Sequence, residues 1–346
     1  MISFLTRALK YMPPEMAHTL TIQATKYASP FLSSSFQDKS LNINLNGNKY
    51  HNPLGIAAGF DKNAELIDPL FKVGFGFVEC GTVTIKKQYG NPKPRVFRLK
   101  SDNAIINRLG FNNNGEKNFI RNLIASKKNG IVGVNIGPNK ESKNFVDDYL
   151  KIYKAVSIYS NYVAINVSSP NTKDLRELQK KDTLEVLLRE LSQLRDSANN
   201  SQIMLKIDPD SSNDHYRMII NLVQKYKIDG IIATNTSISR PKTLKDLNKI
   251  KEGGLSGAPI KNLSDKVLHF LSKETKQELL LIGVGGAENA IDVYNKIKLG
   301  ASLVQLYTAL AYSGPQLVNK ILEDLALLVK KDGFENISEA IGIESK

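Results

Sequence analysis

The sequence predicts an α/β protein: a (β/α)8 barrel preceded by an N-terminal helical hairpin and a short β-hairpin. Three observations carry this. From residue 53 onward, eight short and nearly continuous apolar runs alternate with amphipathic stretches of helical period; polar side chains sit at the C-terminal ends of many of the runs; and no Gly-x-Gly-x-x-Gly follows the first. Near-continuous apolar strands belong to a parallel sheet covered on both faces, and eight of them separated by helices close into a barrel. The missing dinucleotide fingerprint counts against the rival, an open doubly wound sheet.

Residues 1–36 differ in kind from the rest. Apolar residues recur at helical spacing at Ile2, Phe4, Leu5, Ala8 and Leu9, then at Met16, Ala17, Leu20 and Ala24, with Pro13-Pro14 between the two stretches and Pro30 behind them. That spacing predicts two helices in a hairpin. Its apolar face either docks on the domain that follows or lies in a membrane interface, and the segment read by itself favours docking. Leu41-Asn42-Ile43-Asn44-Leu45 then alternates strictly and ends at Asn46-Gly47, the signature of a tight hairpin. The eight runs follow: Pro53 to Gly59, Phe75 to Thr82, Ile131 to Gly137, Tyr162 to Ser168, Ile203 to Asp208, Gly230 to Thr236, Leu279 to Gly285 and Leu303 to Tyr307. Residues 85–130 are an addition that covers the barrel mouth, with extended-looking segments at Arg95 to Leu99 and Ala104 to Phe111. The chain therefore divides into residues 1–36 and a barrel domain over 37–346.

Composition narrows the function. With 346 residues, 41% hydrophobic and 23% charged, the chain buries a large core and lacks the composition of a disordered protein. The net charge of +13 invites an anionic partner, but no basic run carries interleaved aromatics, so nucleic acid is not expected. The single cysteine, Cys80, cannot form an intrachain disulfide and reads as a small buried residue of the second strand. No run approaches the roughly 18 apolar residues that span a bilayer. His18, His51, His215 and His269 are scattered, and no cluster has metal-ligand spacing, so no metal site is expected.

The chemistry sits at the strand ends, which converge on one mouth in a barrel. Gly283-Val284-Gly285-Gly286 closes the seventh run and Gly257 follows the sixth, where barrels bind phosphate through backbone N–H groups. Lys62 and Lys206 lie just after or inside apolar strands, where a lysine is costly unless it meets an anion; Lys62 has the alternative of being an exposed residue of the first helix. Asn166-Val-Ser-Ser-Pro-Asn-Thr172, Asn107-Arg-Leu-Gly-Phe111 and Thr234-Asn-Thr236 supply amides and hydroxyls suited to a planar heterocycle.

Together with Asn52-Pro-Leu-Gly-Ile-Ala-Ala-Gly-Phe-Asp-Lys62, Gly81-Thr-Val-Thr84 and Gly254-Leu-Ser-Gly257, these strings closely resemble the class 2, quinone-dependent dihydroorotate dehydrogenases, in order and spacing, to about residue 330. The resemblance implies an FMN enzyme of pyrimidine (UMP) biosynthesis that oxidises (S)-dihydroorotate to orotate and passes electrons to a membrane quinone. It implies FMN on Ala58, Gly59, Lys62, Thr82, Asn135, Asn166, Lys206, Thr234, Gly257, Gly286, Tyr307 and Thr308. It implies the pyrimidine on Lys62, Asn107, Arg108, Leu109, Gly110, Phe111, Asn166, Asn171, Asn235 and Thr236. Ser169 matches the base that takes the C5 proton while C6 gives hydride to the flavin, an oxidation no side chain can accept. An unassisted serine is a poor base, so Thr172 and a water are expected to relay its proton, and Lys206 to stabilise the reduced flavin. His18, Arg98 and Tyr307 would line a quinone tunnel under the N-terminal helices. This turns the reading of residues 1–36 from docking to a peripheral membrane contact, on the cytoplasmic side of the cell membrane or on the mitochondrial inner membrane of a eukaryote. No obligate protein partner is implied.

The class follows from Ser169, where soluble class 1 relatives use Cys, and from residues 1–36, which they lack. Ala311 stands where some relatives have a hydroxyl facing the quinone. Three other readings have tests of their own: a flavoenzyme reducing fumarate or NAD, whose NAD form needs an iron–sulfur Cys set this chain lacks; a basic nucleic-acid-binding module, with salt-dependent binding to duplex DNA; and a colourless sugar-phosphate barrel.

Overall fold

The computed structural model describes residues 11–28, 35–198 and 201–345. In chain order its strands are β1 (Ile43–Leu45), β2 (Asn48–Tyr50), β3 (Leu54–Ile56), β4 (Phe77–Val83), β5 (Val96–Leu99), β6 (Ala104–Asn107), β7 (Ile131–Ile136), β8 (Tyr162–Asn166), β9 (Gln202–Ile207), β10 (Gly230–Ala233), β11 (Gly254–Gly257), β12 (Leu280–Val284) and β13 (Leu303–Leu306). The helices are α1 (Pro14–Ala28), α2 (Ile67–Val73), α3 (Glu116–Ala125), α4 (Phe145–Val156), α5 (Lys181–Ala198), α6 (Asn213–Lys225), α7 (Lys261–Glu274), α8 (Ala290–Lys298), α9 (Thr308–Ser313) and α10 (Gln316–Lys331).

Eight parallel strands close in the order β10-β12-β13-β3-β4-β7-β8-β9, and each expected run holds one of them, β4 and β9 overrunning theirs by one residue. Burial on both faces explains their composition: every residue of β4, β7, β8, β9 and β12 is buried. Small and large residues alternate across the interior. A Cβ on Gly133 would come 2.0 Å from the ring of Tyr162 on the next strand, so glycine is what admits the tyrosine. Side-chain caps start the helices where the sequence turns polar: Asn144 accepts from the Asp147 N–H, Ser212 from His215 and Asn289 from Asp292.

β1 and β2 form the expected hairpin, with Asn46 and Gly47 at φ 47° and 77°, the left-handed pair that a two-residue turn of this hand requires. Leu41 belongs instead to a 3-10 turn, Lys39–Leu41, capped by Asp38, so the strand starts two residues later than the alternation suggests. Over the mouth lies a second, antiparallel sheet, β11-β6-β5, closed by its own cluster of Leu99, Ala104, Ile106, Leu244, Leu255 and Ile260. The sequence placed β5 and β6 in an addition at the mouth but gave no hint that β11 would join them.

Of the N-terminal hairpin, α1 begins at Pro14 as the Pro13-Pro14 punctuation predicts, and the first apolar stretch lies outside the described residues. Helix α1 docks on β5 through Glu15, whose carboxylate takes two bonds from Arg95, at 2.8 and 3.0 Å. It buries Ala17 but leaves Met16, Leu20, Ala24 and Tyr27 exposed along one stripe. Among the described residues no helix is long and apolar enough to cross a membrane.

Candidate active site

The C-terminal ends of the barrel strands open into a cleft of about 1080 Å³ empty volume beneath the β11-β6-β5 sheet. Its floor is a buried ionic network. Glu79 on β4 has no exposed surface; one carboxylate oxygen accepts from Asn135 Nδ2 at 2.9 Å and faces Lys206 Nζ at 3.5 Å. The other accepts from Tyr162 at 3.0 Å and from Gln305 Nε2 at 2.7 Å. Lys206 thus meets the anion that a lysine in a buried strand demands. Glu79 interrupts the apolar Phe77-Val-Glu-Cys, which signals a buried anion in the sequence, but nothing local pairs it with Lys206. Gln305 Oε1 is buried at this floor with no protein partner.

From Glu79 a chain of amides climbs to the mouth. Asn135 accepts from Thr82 Oγ1 at 2.6 Å and from Asn166 Nδ2 at 3.1 Å, and Asn166 accepts from Asn235 Nδ2 at 3.1 Å. Asn235 also donates to Ser168 Oγ, and Asn171 donates to Asn107 Oδ1 at 3.1 Å across the opening. Ser169 lines the cleft, 6% exposed, its Oγ accepting from the Asn171 N–H.

Opposite the amides, the loops after β11, β12 and β13 bring Gly257, Gly285-Gly286 and Thr308 to the wall, with Thr308 Oγ1 bonded to Ser256 Oγ at 2.8 Å. Gly286 has φ +76°, and a Cβ there would fall 2.5 Å from the Lys261 Cα, so the loop and the start of α7 touch backbone to backbone. Gly59 is different: its added Cβ would meet only the Tyr307 ring, at 3.4 Å.

Nearly all of the site residues expected from sequence line this one cleft: Ala58, Gly59, Lys62, Thr82, Asn107, Leu109, Gly110, Phe111, Asn166, Ser169, Asn171, Lys206, Thr234, Asn235, Thr236, Gly257, Gly286, Tyr307 and Thr308. Asn135 sits one layer below, bonded to Glu79, Thr82 and Asn166. Two depart from expectation. Arg108 turns outward, donating to Pro94 O, lying over the Phe97 ring and pairing with Glu252, so the backbone of its segment reaches the cleft without its charge. Thr172 is buried but does not line the cleft, and no direct hydrogen bond joins it to Ser169. Ser256, Asn112, Glu288 and Gln305 line the wall unanticipated.

Lys62 is neither exposed nor helical. Three backbone N–H groups, of Asn63, Glu65 and Leu66, bind the Asp61 carboxylate in the turn after β3, and Lys62 Nζ folds back onto Gly59 O at 2.6 Å. Burial lowers its pKa to about 8. Lys62 also donates to His18 Nε2 of α1, at 3.3 Å. The Lys62 ammonium, and burial after it, hold the His18 imidazole neutral down to a pKa of about 3. Cys80 is buried beside this turn, its thiol 3.6 Å from Asp61 Oδ2 and pushed up by burial, as befits an inert residue.

A second cleft of about 2080 Å³ lies between α1 and the barrel, lined by His18, Phe60, Arg98, Tyr307, Leu310 and Ala311 among others. The rings of His18, Phe60 and Tyr307 stack edge to face along it, 5.5 and 6.4 Å apart, and Arg98 holds Met12 O at the entry of α1. Lys62, Leu109, Asn112 and Tyr307 line both clefts, so they form the wall between them.

A profile of the dihydroorotate dehydrogenase family matches residues 40–329, which hold the whole barrel and the mouth sheet. The chain belongs to this family. Its relatives among the dihydroorotate dehydrogenases include two named as quinone enzymes. That of Rhodopseudomonas palustris (strain TIE-1) is 42% identical over 343 residues, covering 97% of this chain and 94% of the relative. That of Xanthobacter autotrophicus is 43% identical over 344 residues, covering 97% and 96%. The crystal structure of the Eimeria tenella dihydroorotate dehydrogenase in complex with ferulenol superposes with a TM-score of 0.93 at 35% identity, covering 99% of each chain.

Proposed function

We propose that this chain oxidises (S)-dihydroorotate to orotate in pyrimidine biosynthesis, with FMN in the polar cleft and a membrane quinone in the cleft under α1. One observation carries the reading: two clefts, one at the strand ends and one under α1, share a wall made by Lys62, Leu109, Asn112 and Tyr307. That is the arrangement needed when one molecule is oxidised on one side of the wall and another is reduced on the other.

The residues present suit FMN. The unpartnered Gln305 Oε1, the Lys206 ammonium and the Asn and Thr side chains of the floor match the donors and acceptors of a flavin ring. Gly59, at φ +97°, keeps the strand end open onto the cleft, and Gly257 and Gly286 line the side suited to the phosphate. When bound, FMN supplies the two-electron acceptor that no side chain provides. Ala58, Gly59, Lys62, Thr82, Asn166, Lys206, Thr234, Gly257, Gly286, Tyr307 and Thr308 would hold it, with Asn135 steering Thr82 and Asn166 from below.

Lys62 meets the substrate's carboxylate, and Asn107, Asn166, Asn171 and Asn235 pair with its amide edges, with Thr236 and the Leu109–Phe111 backbone completing the pocket. Ser169 Oγ removes the proton from C5. Asn171 N–H, bonded to that oxygen, favours its charged form. Thr172 passes the proton outward through an intervening group, since no direct bond joins the two hydroxyls.

The chain functions as two units, residues 1–36 giving access to quinone and 37–346 doing the chemistry. The exposed stripe of Met16, Leu20, Ala24 and Tyr27 is suited to the acyl–headgroup boundary, giving a peripheral contact on the cytoplasmic face of a cell membrane, or on the mitochondrial inner membrane of a eukaryote. The test is orotate formation with each acceptor in turn. A short-chain quinone supports turnover, whereas fumarate and NAD do not; turnover with fumarate or NAD and none with quinone contradicts the proposal.

A further inference from the structure

We propose that Arg176 is a positioning residue that clamps the loop carrying Ser169 to the loop carrying Asn235 and Thr236. Its guanidinium donates from all three nitrogens to three different loops. Nε reaches Ser168 O at 3.2 Å, Nη1 reaches Asp210 Oδ2 at 3.2 Å, and Nη2 reaches Thr236 O at 3.2 Å. These acceptors follow β8, β9 and β10, three neighbouring strands of the barrel mouth. Ser168 is the residue before Ser169, and Thr236 lines the substrate side of the cleft.

The clamp stands on a fixed platform. Arg176 belongs to a 3-10 turn, Leu175–Gln179, whose Leu175, Leu178 and Gln179 are buried. Gln179 Nε2 is tied to Asp208 Oδ2 at 2.7 Å, which anchors the turn to the end of β9. Asp210 is pinned as well: it accepts from Ser237 Oγ, the Ile238 N–H and Ser239 Oγ, all just past Thr236. Both clamped loops also pack against Gly254, where an added Cβ would fall 2.0 Å from Thr236 Oγ1 and 3.2 Å from Pro170. Only a planar fork with donors on three sides serves two carbonyls and a carboxylate at once, and a lysine ammonium does not.

This inference rests on Ser169 acting as the base and on Thr236 facing the substrate. Misplacing a reacting group by about 1 Å costs on the order of 10²-fold in rate. Arg176→Ala therefore slows reduction of the bound flavin by dihydroorotate about 10²-fold, while quinone reoxidises chemically reduced enzyme at the wild-type rate. Added guanidinium restores part of the lost rate. Arg176→Lys, which keeps the charge beside Asp210 and so guards against misfolding, remains slow. Amide hydrogen exchange over residues 168–172 and 235–239 quickens in Arg176→Ala, and the isotope effect with C5-deuterated dihydroorotate rises as proton removal becomes limiting. Wild-type reduction rate and unchanged exchange in Arg176→Ala overturn the inference, as does a parallel fall of both half-reactions with no response to guanidinium. If dihydroorotate fails to bleach the wild-type flavin, the reading of the site falls first and this inference with it.

Discussion

Glu79→Gln tests the floor of the cleft by the smallest available change. Two donors, Tyr162 Oη and Gln305 Nε2, address one oxygen of Glu79, and two more, Asn135 Nδ2 and the Lys206 ammonium, address the other. Whichever way a glutamine is turned, its NH2 faces a pair of donors, and Lys206 loses the acid it pairs with. Removing one partner of a buried pair costs about 3–5 kcal/mol. Unfolding entropy of about 2.1 cal/mol/K per residue over 346 residues gives about 0.7 kcal/mol per degree, so the midpoint falls by about 4–7 °C. Calorimetry on Glu79→Gln, Lys206→Met and the double variant reads this out. The two effects are not additive, because the double variant no longer buries an unpaired ammonium, and the coupling exceeds about 1 kcal/mol. A Glu79→Gln midpoint within a degree of wild type, or strict additivity, refutes the ionic floor.

Further expectations concern the walls. The protonated form of Lys62 binds the anion and its pKa is about 8, so kcat/KM for dihydroorotate falls as pH rises, about tenfold from pH 7 to 9, whereas a flat alkaline limb to pH 10 removes Lys62 from substrate binding. His18 stays neutral to about pH 3, so the quinone half-reaction of the wild type and of His18→Gln share the same pH profile between 5 and 8. Arg95→Ala frees α1 from β5 and lowers quinone-dependent turnover by about tenfold or more while leaving flavin reduction by dihydroorotate intact, as stopped-flow spectra of the two half-reactions report. Gly286→Ala drives a Cβ into the Lys261 backbone and lowers the flavin-to-protein absorbance ratio of the purified enzyme.

The barrel was legible in the sequence because a strand buried on both faces has to be apolar nearly throughout, and the eight runs say so without knowledge of their partners. β11 was not, since Gly254-Leu-Ser-Gly257 holds one large apolar residue and takes its meaning from β6, about 150 positions earlier; Ser256 Oγ, for example, bonds Ile105 O. The same holds for charge. That Lys206 needs an anion follows from its strand, but that the anion is Glu79 follows only from barrel closure. Glu15 and Arg95, 80 positions apart, seat α1 through a pair that no local pattern announces. Arg108 shows the converse: the segment Asn107 to Phe111 reaches the cleft as the resemblance implies, yet Pro94 O, the Phe97 ring and Glu252 hold that one side chain outward.

The central claim, one site that takes electrons from dihydroorotate into a bound flavin, is tested most directly by the visible spectrum of the purified protein under anaerobic conditions. The chain contains no tryptophan, which leaves tyrosine and bound chromophore to dominate its spectrum above the peptide bands. Addition of dihydroorotate is expected to bleach a flavin band, and subsequent quinone to restore it. A protein that stays colourless when folded and supplied with FMN, or a flavin band that dihydroorotate leaves unchanged, contradicts the account.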